Sequence, residues 1–139
     1  MFYVIQCANV QKSKIKYKFC NTFLISTHEN PRIYLIRQLG NLKKGIINEE
    51  KPDIICFQEF EANFVNKRTE IDSLLEDWKY KSVFYTHRLN DEGGWGLAVY
   101  SKYPIVAKDH MTFPESHNSV MWVDIAIRKD TIRVFNNHL

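Results

Sequence analysis

The chain has 139 residues, 45% of them hydrophobic and 14% aromatic, with a net charge of +3 from 19 Lys and Arg against 16 Asp and Glu. That length holds one domain at most, and the apolar content supports a buried core rather than a disordered chain. The mild positive excess tolerates an anionic partner without demanding one, and it excludes a nucleic-acid binder defined by a concentrated basic patch.

In chain order, residues 2–8 (FYVIQCA) read as a short strand. Residues 11–18 (QKSKIKYK) carry four lysines and read as a solvated loop or strand edge. Asn30-Pro31 marks a break. From Arg32 to Glu50, the residues Ile33, Leu35, Ile36, Leu39, Leu42, Ile46 and Ile47 keep mostly three- and four-residue spacing. That pattern predicts an amphipathic helix, weakened by Gly40 and Gly45 and ended by Lys51-Pro52.

Asp53 to Phe57 then reads as a strand buried on both faces, and the chain turns abruptly polar at Gln58-Glu59. A second helix is predicted over Asn66–Trp78 from Ile71, Leu74, Leu75 and Trp78. Residues 81–88 (KSVFYTHR) read as a strand, followed by a turn at Asn90-Asp91-Glu92-Gly93-Gly94 and a buried strand, WGLAVYS. Tyr103-Pro104-Ile105 opens another extended piece that runs to Phe113. In residues 119–128, Met121, Val123, Ile125 and Ile127 form an apolar row on one strand face. A tight turn at Lys129-Asp130 then leads into the partner strand, TIRVFNNHL.

This order of strand, helix, strand, helix and a run of strands predicts an α/β (α+β) fold. Its core would be a mixed β-sheet with helices packed on it. Cys7, Cys20 and Cys56 are odd in number and lack metal-ligand spacing, so neither a disulfide framework nor a zinc site is indicated, and a reducing compartment fits. No apolar run approaches a membrane span, and the N-terminal stretch lacks the basic segment of a signal peptide. The default expectation is a soluble cytoplasmic protein.

Three stretches carry a family signal in order: PDIICFQEF (52–60), GGWGLAVYSKYPIV (93–106) and DTIRVFNNHL (130–139). Together they resemble the endonuclease/exonuclease/phosphatase superfamily, which includes DNase I-like nucleases, sphingomyelinases and inositol phosphatases. The first is similar to the family's strand ending in Gln-Glu. The second is similar to its glycine-containing strand leading to Ser-(Lys/Arg)-x-Pro-Ile, and the third to its Asn-x-His-Leu strand. The resemblance covers about residues 32–139 and implies a DNase I-like two-sheet sandwich. Family members continue to a Gly-Asp-x-Asn motif and a final Asp-His pair. Neither follows Asn-x-His-Leu within residues 1–139, so the resemblance implies a single, truncated domain: the front portion of the sandwich, with little or no activity by itself.

What the resemblance implies chemically is a phosphoester hydrolase that uses Mg²⁺ (or Mn²⁺). The ion offsets the charge shielding the phosphorus and helps activate water. Because Mg²⁺ keeps several waters, one or two protein carboxylates suffice to hold it. Glu59 is the candidate anchor, at the carboxyl end of a stiff strand where a sheet opens toward ligand. Taken alone, that stretch favours a Glu59 that merely begins a solvated loop; the other two motifs turn the reading to a metal ligand. The family's opening strand usually ends in an Asn that helps at the metal, and Asn9 in QCANV is the candidate, in a stretch that matches poorly.

His138 is similar to the family's catalytic histidine, which stabilises the transition state or protonates the leaving oxygen. The alternative is a half-buried histidine bonded to a neighbouring strand. Asn136 is expected to support the site by hydrogen bonding. Gly93, Gly94 and Gly96 have no helix after them and so read as allowing a turn and close strand packing, not a phosphate loop. Trp95 and Trp122 read as packing, Cys56 as a core residue and Asn118 as a surface loop residue. His28, His87, His110 and His117 read as incidental. The implied partner is a phosphoester (nucleic acid, phospholipid or inositol phosphate), and an unpaired sheet edge would invite self-association. The rival expectation is a catalytically dead binding remnant of the same fold.

Overall fold

The computed structural model describes residues 2–8, 31, 33–36, 51–63 and 73–138. Eight strands account for most of them: β1 (Phe2–Ala8), β2 (Ile33–Ile36), β3 (Ile54–Asn63), β4 (Tyr80–Leu89), β5 (Gly93–Ser101), β6 (Ile105–Thr112), β7 (Ser119–Ile127) and β8 (Asp130–His138). They form two four-stranded sheets, ordered β1-β8-β7-β6 and β2-β3-β5-β4. Each sheet is mixed. β1 runs parallel to β8 and β2 parallel to β3, while the other pairs are antiparallel.

The two sheets pack through one apolar layer. Ile54, Cys56, Leu97 and Val99 of the second sheet meet Met121, Val123, Ile125, Ile132 and Val134 of the first, all at most 5% exposed. The row read from the sequence of β7 is this layer, with Ile127 half-buried at its margin. The opposite face of β3 and β5 is also covered. Ile55, Phe57, Phe60, Ala98 and Tyr100 pack under Leu75 and Trp78. Burial on both faces explains why β3 and β5 read as near-continuous apolar runs rather than alternating ones. Phe57 holds Tyr100 edge-on at 5.5 Å between ring centroids and Phe60 at 5.8 Å, a preferred geometry for aromatic rings.

One expectation changes. Ile33–Ile36 is a strand, paired residue for residue with Ile54–Phe57, and not the start of a helix. Short apolar runs fit either period, and here the β-branched ends and the waiting edge of β3 decide it. The rest of that predicted helix, 37–50, lies outside the described residues, as does most of the second; the only described helical residues are Ser73 and Leu74. The helices expected to flank the sheets are therefore not part of the described structure. The loop at 11–18, Cys20 and His28 also lie outside it.

Turns differ by a residue from the sequence reading. The β4–β5 hairpin takes its left-handed backbone at Asn90 (φ 49°) instead of a glycine, and the β7–β8 hairpin takes it at Arg128 (φ 57°). Both hairpins need one residue in this region, which asparagine tolerates well.

Tyr103, between β5 and β6, packs half-buried against the inter-sheet core. Burial, and then the Asp53 carboxylate, raise its hydroxyl above the ordinary tyrosine value. The neutral ring thus contributes stability that is full below about pH 10 and lost as pH rises through the higher folded value. A Tyr103→Phe variant should lose less of its urea midpoint between pH 9 and pH 11 than the native chain. An identical loss in both would show that Tyr103 plays no part.

Candidate functional site

The change from apolar to polar at Gln58-Glu59 is a β-bulge. Phe57 pairs with Ala98 and Phe60 with Gly96, so Gln58 and Glu59 together face Leu97 alone. Glu59 takes φ 53°, a left-handed backbone uncommon for a non-glycine residue and a recurrent feature of functional sites. A bulge re-aims the side chains it carries. Here Gln58 turns fully inside and its amide donates to the Asn137 carbonyl across the sandwich. Glu59 turns toward β8, where its Oε1 lies 3.4 Å from His138 Nε2, with both side chains about a quarter to a third exposed.

Asn136 fixes this junction from the other sheet. Fully buried, it donates from Nδ2 to the carbonyls of Phe57 (2.9 Å) and Ala98 (3.2 Å). It ties β8 to β3 and β5 at the residue before the bulge, through hydrogen bonds of the kind expected of it. Thr86 and Ser119 join the same rim, their hydroxyls 2.9 Å apart across the sheets. Ser119 pairs with His138 in the β7–β8 ladder.

Among the described residues, the buried acceptors Gln58 Oε1, Asn136 Oδ1 and Asn137 Oδ1 have no hydrogen-bond partner. Gln58 adjoins Glu59, and Asn136 and Asn137 precede His138, so the three lie beside the two candidate residues in sequence, where buried polar atoms are normally satisfied. The partly exposed Glu59 carboxylate is a hard oxygen donor of the kind that suits a cation such as Mg²⁺. Among the described residues, no three His, Cys, Asp or Glu side chains gather in a way that could hold a metal ion. One carboxylate suffices in general for an ion that keeps most of its waters. Asn9, the other expected ligand, lies outside the described residues; β1 ends at Ala8, paired with Asn137.

Of the residues expected to be incidental, two are not scattered. His87 stacks on Trp95 at 4.4 Å between centroids, and His117 meets His87 edge-on at 5.8 Å. Nothing in their spacing announces this; it follows from β4–β5 pairing and from the loop before β7. Trp122 is a packing residue, as expected. The Arg133 guanidinium lies 3.9 Å from its ring centroid and forms a paired contact with Asp124 at 2.7 and 2.8 Å. His110 stacks on Phe84 at 3.8 Å, and Cys56 is a buried free thiol.

The arrangement is a two-sheet sandwich with a carboxylate and an imidazole converging at one rim. The family model for the Endonuclease/Exonuclease/phosphatase family matches residues 36–138, and the chain belongs to that family. Among solved structures it is similar to an endonuclease/exonuclease/phosphatase family protein from Leptotrichia buccalis C-1013-b, with 21% identity and TM-score 0.58, covering 79% of this chain and 54% of that one. It is also similar to an endonuclease/exonuclease/phosphatase from Beutenbergia cavernae DSM 12333 (13%, TM-score 0.58, 78% and 38%). A third is sphingomyelinase C from Streptomyces griseocarneus (14%, TM-score 0.50, 76% and 47%). These likenesses establish the fold alone, and the chain spans about half or less of each structure's length. A search of curated proteins finds no significant match.

Proposed function

We propose that this chain supplies the Glu59–His138 part of a phosphoester hydrolase site working with Mg²⁺ or Mn²⁺. One observation carries the reading: a carboxylate from one sheet and an imidazole from the other meet at 3.4 Å on an accessible rim. The bound ion would offset the phosphate's negative charge and favour attack by water. Glu59 holds that ion and orients the His138 ring. His138, partly exposed, is placed to hydrogen-bond a phosphoryl oxygen or give a proton to the leaving oxygen. Asn136 keeps both strands in register. Nucleic acid, phospholipid and inositol phosphate all offer the required phosphoester.

A metal test needs no turnover. Trace Mn²⁺ should broaden the NMR signals of residues 57–60 and 136–138 before others, and Glu59→Gln should abolish the selectivity. Broadening spread over the exposed acids, or unchanged in the variant, would refute a metal at Glu59. Because Gly-Asp-x-Asn does not occur in residues 1–139, the chain by itself should show no Mg²⁺-dependent cleavage of a generic phosphodiester above background. Turnover removed by Glu59→Gln would overturn that expectation.

The second reading, a binding remnant, draws on β6. It is the edge of its sheet among the described strands, and Val106 and Met111 are 59% and 55% exposed. An exposed strand edge invites pairing with another chain, and an added lysine opposes it. Concentration-dependent dimers abolished by Val106→Lys would favour this reading; a monomer at all concentrations would remove its support.

A further inference from the structure

Two bulges flank Gly96, one on each neighbour of β5. On β3, Gln58 and Glu59 together face Leu97. On β4, Tyr85 pairs with Gly96 and His87 with Trp95, which leaves Thr86 as the extra residue. Each bulge re-aims a polar side chain at the opposite sheet. Glu59 Oε1 reaches His138 Nε2 at 3.4 Å, and Thr86 Oγ1 reaches Ser119 Oγ at 2.9 Å. The two residues reached are themselves a ladder pair, Ser119 standing opposite His138 between β7 and β8. Directly opposed residues share a face, with their Cβ atoms about 5 Å apart. Glu59, His138, Ser119 and Thr86 therefore close a circuit across the sandwich, completed through β5 at Gly96.

The circuit acts where the site is weakest. Ser119 opens β7 and His138 closes β8, and strand ends are where a ladder opens most easily. The His138 ring is about a quarter exposed and meets Glu59 at 3.4 Å, a long contact that holds a ring loosely. Ser119 is fully buried. A hydroxyl there costs stability unless it is hydrogen-bonded, and its partner is a residue that β4 bulges to deliver. Packing alone would be met by two apolar side chains and an unbroken ladder. A hydroxyl pair instead sets the height of one strand end above the other sheet, the kind of support a precise site requires from the residues around it.

We infer that Thr86 and Ser119 are positioning residues for His138: their hydroxyl pair pins the start of β7 to β4 and so holds the imidazole against Glu59. The inference rests on the proposed hydrolase site for what His138 does, but the coupling itself needs neither metal nor substrate.

NMR on the 139-residue chain in EDTA, at one fixed pH, tests it. The readouts are the NOE between the His138 ring and the Glu59 γ-protons, and the order parameters of the His138 ring carbons. The native chain should show the NOE and an ordered ring. Thr86→Val, which keeps the side-chain shape, and Ser119→Ala should each weaken the NOE several-fold and loosen the ring. Thr86→Ser, which keeps the hydroxyl, should preserve both signals. Ile127→Ala, at the other end of β7 and at the margin of the same core, controls for stability lost elsewhere. It should lower the urea midpoint and leave the His138 signals unchanged. Signals unmoved in both hydroxyl variants, lost in Thr86→Ser, or lost equally in Ile127→Ala would each overturn the positioning role. Because no metal is present, a failure of the metal reading at Glu59 leaves this result standing.

Discussion

Gly96→Ala should destabilise the chain by more than about 3 kcal/mol, read as a fall in urea midpoint, and Gly96→Val should not fold. A Cβ on Gly96 would lie 2.0 Å from the Phe84 carbonyl oxygen, 2.7 Å from the Thr86 nitrogen and 2.8 Å from the Tyr85 Cα. All three are backbone atoms, so no side chain can swing aside, and β4 would have to move off β5. This is the point where the β4–β5 register shifts, between Tyr85 and His87. It is also opposite Phe60, just past the Glu59 bulge. The two irregularities share one glycine, so relief of the clash would spread to the site. An alanine variant of native stability would mean that β4 does not approach β5 as described.

Asn136→Ala should cost about 3 kcal/mol, and Asn136→Asp more. The alanine strands two buried carbonyls, those of Phe57 and Ala98, and leaves a gap between the sheets. The aspartate keeps the volume but directs carboxyl oxygens at those same carbonyls, where a charge is neither solvated nor paired. Denaturant midpoints measure both. The Mn²⁺ broadening expected around Glu59 should also weaken in the alanine variant, since the bulge loses its tie to β8. An aspartate variant at least as stable as the alanine variant would show that Asn136 contributes volume and not its donated bonds.

The strands were readable because their side-chain periods are strong. Met121, Val123 and Ile125 alternate with more polar neighbours, and Ile54 to Phe57 is apolar throughout, so burial on one face and on two faces left different marks. Ile33–Ile36 was not readable. Its four residues fit a helix period as well as a strand, and only pairing with β3 distinguishes them. Glu59 and His138 could be singled out as a carboxylate and an imidazole at strand ends. Their meeting could not, because 79 residues separate them in sequence.

The aromatic group shows the same limit more sharply. His87, Trp95 and His117 have no common spacing, and each taken singly reads as packing or surface. By itself the sequence determined the strand pattern, the family signal and which residue types are available for phosphoester chemistry, since these depend on local periodicity and composition. Only the tertiary structure decided that a bulge turns Glu59 toward His138 on the opposite sheet and that His87 meets both Trp95 and His117. Those placements are set by register across strands and by the packing of one sheet on the other, which no local pattern encodes.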